Sequence, residues 1–194
     1  MNPAIALPEV SPSQRRRGRW QLILLLAVVI GPMVLASAMY QWRFWVPEGR
    51  SYHGELLGNG QTLADLGVVA GEQARWQLLV TAPQGCEADC QQLVFLARQI
   101  HIGLNRDASR AAHALASALP PSADYDAQLR REYPQLGRFQ LQLQAYQRLV
   151  EQGAGAQLWI VDPHGNLVLR YDTGSKGKAI LDDLRHLLKI SQIG

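Results

Sequence analysis

The sequence predicts an α/β domain, a small mixed central sheet with helices on both faces, behind one N-terminal membrane helix. Residues 20–41 form an apolar run without a charged side chain, and at about 1.5 Å per helical residue this length crosses a bilayer core. An apolar strand at residues 77–82 is followed by a tight turn and a helix that carries both cysteines. A hairpin at residues 157–172 and an amphipathic helix at residues 178–190 complete the domain.

The N-terminal segment predicts how the membrane helix is oriented. A cluster of arginines stands directly before the apolar run: Arg15, Arg16, Arg17 and Arg19. Because basic residues beside a span stay in the cytoplasm, residues 1–19 are predicted to be a cytoplasmic tail and the rest of the chain to lie outside. The competing interpretation is a cleaved signal peptide, since Ala36, Ser37 and Ala38 fit a cleavage site. Under either interpretation the domain leaves the cytoplasm, which in a bacterium means the periplasm. The uncleaved helix predicts a single-pass protein of the inner membrane with its C-terminal domain in the periplasm.

Composition limits the class of protein. The 194 residues suffice for one domain plus an anchor, and 47% hydrophobic with 18% charged residues is typical of a folded or membrane-tethered chain. The net charge of +3 is slight and comes largely from the arginine cluster, so it indicates no nucleic-acid-binding surface. Two cysteines alone do not make a disulfide scaffold.

The order of elements predicts a thioredoxin-like domain over residues 75–194. Residues 42–74 are predicted to be a linker and an irregular cap, because proline and glycine interrupt any long element there. After the cysteine helix, residues 110–119 are predicted to return as a parallel strand. Residues 124–133 and 141–152 are predicted to be helices, the first capped by Ser122 or Asp124.

The candidate site is the pair Cys86 and Cys90, the only cysteines of the chain. Residues i and i+4 of a helix lie on one face, so both sulfurs can meet one metal ion or each other. The helix N-terminus favours the thiolate form, whereas Glu87 and Asp89 oppose it with negative charge. Three roles stay open: binding of a soft metal ion, thiol–disulfide exchange, and structural closure of the turn. A disulfide at this spacing requires the helix to begin at or after Cys86.

The CxxxC at a strand-to-helix turn, together with a hairpin turn containing Asp162 and Gly165, resembles the Sco/SenC family of membrane-anchored copper proteins. The resemblance covers residues 76–190 and the anchor. It implies an exported thioredoxin-like fold, copper(I) as cofactor, and Cys86 and Cys90 as copper ligands. It also implies cytochrome c oxidase subunits or other assembly factors as partners.

Two features depart from the family pattern. Glu87 and Gln91 stand where the family has a proline after each cysteine. The family's third copper ligand is a histidine upstream of the last hairpin, and residues 135–161 contain none; the nearest is His164, inside the turn. The other histidines are predicted to be surface, boundary or linker residues: His53, His101, His113 and His186.

These observations lead to the hypothesis of a membrane-anchored, periplasm-facing assembly factor for cytochrome c oxidase. It would use Cys86 and Cys90 to bind copper(I) or to keep copper-site thiols reduced. Binding is favoured over catalysis, because a thioredoxin-type enzyme would show CxxC and a proline before the strand that faces the site, and residues 153–156 contain no proline. The alternatives are a general periplasmic thiol–disulfide oxidoreductase and a non-catalytic scaffold subunit that keeps the fold.

Overall fold

The computed structural model describes residues 12–42, 52–69, 74–150 and 153–191. The chain divides into two compact units, residues 1–49 and residues 50–194. Most of the predicted cytoplasmic tail and parts of the predicted linker and cap lie outside the described residues.

The first unit contains helix α1 (Pro12–Trp42). Within its segment Arg16–Met39, the most apolar 18-residue window has a mean hydropathy of 2.6, and none of that window is buried against the protein. By length and composition this helix can cross a membrane, as expected for the apolar run at residues 20–41. The helix starts before that run, so Arg16, Arg17 and Arg19 lie on α1 rather than in a separate tail.

The described residues of the second unit contain six strands and four α-helices. These are β1 (Glu55–Leu56), β2 (Trp76–Ala82), α2 (Ala88–Gly103), β3 (Ala111–Ser117), α3 (Ala123–Glu132), β4 (Gly137–Gln140), α4 (Leu143–Leu149), β5 (Gln157–Val161), β6 (Leu167–Tyr171) and α5 (Gly177–Ile190). A 3-10 helix, Asn105–Arg110, joins α2 to β3.

The strands form one mixed sheet in the order β1-β6-β5-β2-β3-β4. Strand β2 pairs in parallel with β3 and antiparallel with β5, so that Leu79 lies between Ala114 and Trp159. Strands β5 and β6 form the predicted hairpin, β1 pairs antiparallel with β6, and β4 pairs in parallel with β3. This mixed sheet with flanking helices is the predicted fold class.

Every residue of β2 is buried, because both faces of the sheet are covered. On one face, strand residues pack with α2, α3 and α5: the cluster includes Leu78, Val80, Leu158, Ile160, Leu93, Leu129, Ile180 and Leu184. On the other face, the turn at residues 63–67 and helix α4 cover the sheet: that cluster includes Leu66, Leu79, Leu141, Tyr146, Trp159 and Val161. Both cysteines belong to the first cluster.

Three elements of the structure differ from the prediction. Strands β1 and β4 were not expected, because two and four largely exposed residues give no hydrophobic pattern. The helix predicted at residues 141–152 is shorter, since Leu141 bridges to Val68 and α4 begins only at Leu143. The strand expected at residues 110–119 and the cap at Ser122 are confirmed, and the Ser122 hydroxyl accepts a hydrogen bond from the Tyr125 N–H at 3.4 Å.

Asp183 holds the start of the described segment 52–69 against the rest of the domain. Its carboxylate is buried and accepts hydrogen bonds from the main-chain N–H groups of His53 at 2.7 Å and Gly54 at 3.1 Å. Nδ1 of His53 lies 2.8 Å from Oδ1, the other carboxylate oxygen. The Tyr171 hydroxyl donates to Oδ2 of Asp183 at 2.7 Å. Burial, the hydrogen bond to Asp183 and the charge of that carboxylate raise the pKa of Tyr171, so the phenol stays protonated and remains a donor.

Replacing Asp183 by alanine is expected to lower the free energy of unfolding by about 3 kcal/mol, because buried donors lose their acceptor. Asp182→Ala is the matched control, since Asp182 is exposed and lies 4.0 Å from Arg185 on the surface; its cost should stay below about 0.5 kcal/mol. Urea unfolding of both variants measures the difference. Equal stability of the two variants would show that the Asp183 cluster contributes little.

His113 was predicted to be a surface or boundary residue, and this is wrong. It lies on β3, is 4% exposed, and its ring centroid is 5.0 Å from that of His101. Nε2 of His101 donates to the carbonyls of Ala108 and Ala111, whereas Nε2 of His113 has no hydrogen-bond partner among the described residues. Burial, with the charges of His101 and Arg98, lowers the pKa of His113 to about 4.

This burial predicts a loss of stability at acid pH. Because the pKa of His113 is lowered on folding, the unfolded chain binds the proton first, and stability falls as the pH drops from about 6.5 towards 4. The contribution is on the order of 2–3 kcal/mol over that range. In His113→Gln the difference in unfolding free energy between pH 7.5 and pH 4.5 should shrink by that amount, while in the control His164→Gln it should match the wild type. An unchanged pH dependence in His113→Gln would refute this assignment.

Candidate redox site at the start of helix α2

The cysteine loop begins where β2 ends. The Ala82 carbonyl still accepts a hydrogen bond from the Ala118 N–H at 3.0 Å, and Pro83 then ends the strand. Gly85 has φ +99°, in the region that favours glycine, and it turns the chain into Cys86. Helix α2 begins at Ala88, so Cys86 precedes the helix that it was predicted to open.

Cys86 and Cys90 are joined in a disulfide with a Cα–Cα distance of 4.9 Å. The sequence required the helix to begin at or after Cys86 for this bond to form, and the observed start at Ala88 meets that condition. Cys86 is 7% exposed and lies in the loop, whereas Cys90 is 1% exposed and lies on the inner face of α2. Both cysteines are therefore buried, and the loop cysteine is the slightly more exposed of the two.

Gln91 is a residue of the site that sequence reasoning missed. Its side-chain Nε2 donates a hydrogen bond to the Cys86 carbonyl at 3.2 Å, and its main-chain N–H donates to the Glu87 carbonyl at 2.8 Å. Glu87 is the N-cap of α2 but its side chain makes no capping hydrogen bond. The sequence carries no pattern for this contact; it shows only that a polar residue stands where the family has a proline.

The charges around the pair are mixed. Glu87 and Asp89 are exposed and lie at the start of α2, where the positive end of the helix dipole partly offsets them. Being exposed, both carboxylates are screened by water and salt. The site thus combines two buried sulfurs with a solvated acidic rim.

His164, the histidine nearest in sequence to the position of the family's third copper ligand, does not lie near the cysteines in the structure. Strand β5 begins at Gln157, which pairs with Thr81 beside the cysteine loop, and ends at Val161, which pairs with Gln77 at the far end of β2. His164 follows Val161 and therefore lies at the end of the sheet opposite to the disulfide. No group of three or more histidine, cysteine, aspartate or glutamate side chains within residues 12–42, 52–69, 74–150 and 153–191 is arranged to hold a metal ion.

A disulfide between the central strand β2 and the start of helix α2, in a mixed sheet with helices on both faces, defines a thioredoxin-like domain. Residues 76–191 match the family described as "Transmembrane-like, thioredoxin-like, C-terminal domain", and residues 12–43 match "Transmembrane-like, N-terminal domain". The first match spans more than half of the chain, and the chain belongs to this family. No curated protein sequence matches this chain.

Solved structures similar to this chain include the Sco proteins that the sequence resembles. Arabidopsis thaliana ScoI with copper bound has 10% identity and a TM-score of 0.47, over 62% of this chain and 88% of its own. Yeast Sco1 with copper bound has 13% identity and a TM-score of 0.47, over 61% and 81%. A thiol:disulfide interchange protein from Bacteroides sp. has 10% identity and a TM-score of 0.47, over 70% and 93%. At such identities and TM-scores, these likenesses carry no argument about the chemistry of this chain.

Proposed function

We propose that this chain is a membrane-anchored, periplasm-facing thioredoxin-like protein that keeps cysteine pairs of a partner reduced through Cys86 and Cys90. The observation that carries the proposal is the disulfide itself, which joins a loop cysteine that is 7% exposed to a helix cysteine that is 1% exposed. A bond between two residues so close in sequence constrains very little of the unfolded chain, so structural closure is its weakest explanation. The sequence resemblance to Sco/SenC proteins supports cytochrome c oxidase subunits or other assembly factors as partners.

The proposed exchange balances as a two-electron transfer. In the reduced chain, the Cys86 thiolate attacks a partner disulfide, forming a mixed disulfide and releasing one partner thiolate. The Cys90 thiolate then attacks the Cys86 sulfur, which forms the Cys86–Cys90 disulfide and releases the second partner thiolate. The two protons of the cysteine pair pass through solvent to the partner thiolates. Another exported dithiol protein returns the chain to its reduced form by the reverse sequence.

Exchange in this order predicts that the two single-cysteine variants behave differently. Full-length Cys90→Ser, reduced and mixed with a synthetic peptide that contains one disulfide, should accumulate a mixed disulfide, because no second sulfur can release the peptide. Cys86→Ser is the matched variant and should trap at least tenfold less, since Cys90 is buried on the inner face of α2. Non-reducing electrophoresis measures the trapped product. Equal trapping by both variants, or trapping by neither, argues against Cys86 as the attacking group.

Copper(I) binding by the reduced pair is a second candidate function. The specific observation is that reduction frees two thiolates whose Cα atoms lie 4.9 Å apart in the disulfide form, and thiolate sulfur is a preferred ligand of this soft ion. The fit is to a site with two cysteine ligands, because no described histidine or carboxylate completes a cluster with them. Bound copper would supply the metal centre that oxidase assembly requires, while Cys86 and Cys90 hold it.

Copper binding should depend on the cysteines and on their reduction. The reduced full-length chain in detergent is expected to bind one copper(I) ion in competition with a chromogenic chelator, and Cys86→Ser/Cys90→Ser should lose the binding. His164→Ala tests whether a histidine serves as a third copper ligand, as it does in the family. This variant should bind copper(I) as the wild type does, because His164 lies at the opposite end of the sheet. Unchanged binding by the double cysteine variant would eliminate the copper function.

A further inference from the structure

The Cys86 main chain has a contact that does not involve its sulfur. Because α2 begins at Ala88, Cys86 lies outside the helix and its position depends on the loop from Pro83 to Glu87. The loop turns at Gly85, a residue that adopts a wide range of backbone conformations. The Gln91 side chain returns from the first turn of α2 and donates to the Cys86 carbonyl at 3.2 Å.

We infer that Gln91 is a positioning residue that sets the reduction potential of the Cys86–Cys90 pair; the inference rests on the proposed redox function. The hydrogen bond uses the carbonyl oxygen of Cys86, so breaking the S–S bond does not remove it. In the reduced chain it continues to hold the Cys86 loop against the start of α2. The two thiols are therefore kept at a high effective concentration, which favours reclosure of the disulfide.

The sign of the effect follows from which form the hydrogen bond restrains. In the oxidised chain the disulfide already fixes Cys86 to Cys90, so the Gln91 contact adds little order. In the reduced chain the same contact limits the freedom of the loop, and its loss lets the dithiol form gain conformational entropy. Removing the donor should therefore stabilise the reduced form relative to the oxidised form and make the potential less negative.

The experiment compares Gln91→Met with Gln92→Met in the full-length chain in detergent. Methionine matches glutamine in length and helix propensity but lacks the donor, and Gln92 is an exposed neighbour of the same residue type. Each protein is equilibrated in dithiothreitol redox buffers, and the reduced fraction is quantified by the mass added on alkylation. Gln91→Met is expected to lower the equilibrium constant for disulfide formation about two- to tenfold, a rise of about 10–30 mV. Gln92→Met should match the wild type.

A purely structural role for Gln91 is separable from this one. Loss of a structural contact would destabilise the oxidised and reduced forms equally and leave the potential unchanged, even if the unfolding temperature fell. Gln91→Ala is the second variant and should shift the potential in the same direction as Gln91→Met. If the wild type titrates reversibly but the Gln91 and Gln92 variants share its potential, the inference is overturned while the redox function stands. If the wild-type pair cannot be reduced and reoxidised reversibly, both are overturned.

Discussion

A disulfide between residues four apart cannot form inside a regular α-helix, because the Cβ atoms lie about 5–6 Å apart there and a disulfide needs about 3.8 Å. The site of this protein depends on that constraint. Helix α2 begins at Ala88, which leaves Cys86 in a loop free to approach Cys90 on the first turn. The preceding Pro83 and Gly85 end the strand and turn the chain, so the late helix start is a property of the whole loop. The Gln91 side chain completes this arrangement from the helix side.

The same constraint bears on the choice between metal binding and exchange. A site designed mainly to hold a metal would gather further ligands, whereas the described residues place His164 at the opposite end of the sheet. His53 and His113 are held in other contacts, one beside Asp183 and the other inside the domain next to His101. The pair is largely buried and joined in a disulfide, and on this basis we propose exchange as its main chemistry, with copper(I) as a ligand of its reduced form. This proposal differs from the expectation from the sequence alone, which favoured binding over catalysis.

Sequence patterns predicted the parts of the fold that local residues determine. The continuous apolar strand β2, the hairpin β5–β6 and helix α5 each carry a hydrophobic pattern of their own. What the sequence could not predict depends on contacts between distant positions. Asp183 binds His53 from 130 positions away, and β4 exists only because β3 offers it an edge. The burial of His113 likewise follows from helix packing over β3, since an alanine-rich strand around it gives no clear inward face.

For the candidate site, the sequence predicted both cysteines. It also predicted that they could form a disulfide only if the helix began at or after Cys86. It did not identify Gln91, because a side chain that reaches back to a carbonyl five positions earlier leaves no pattern of its own. Nor could spacing alone distinguish a metal pair from a redox pair, since both need two sulfurs on one face. The small difference in exposure between the two cysteine residues is known only from the folded chain.

The most direct test of the proposed exchange function is the oxidation state of Cys86 and Cys90 in the cells that make this protein. Intact cells would be quenched with acid, free thiols alkylated with a mass-tagged maleimide, and the full-length chain resolved by its mass shift. The proposed exchange function predicts that both the dithiol and the disulfide forms are present, and that the dithiol form disappears when the supply of exported reductant is removed. A chain that is fully oxidised under every condition would contradict it, because the disulfide would then be a fixed structural bond.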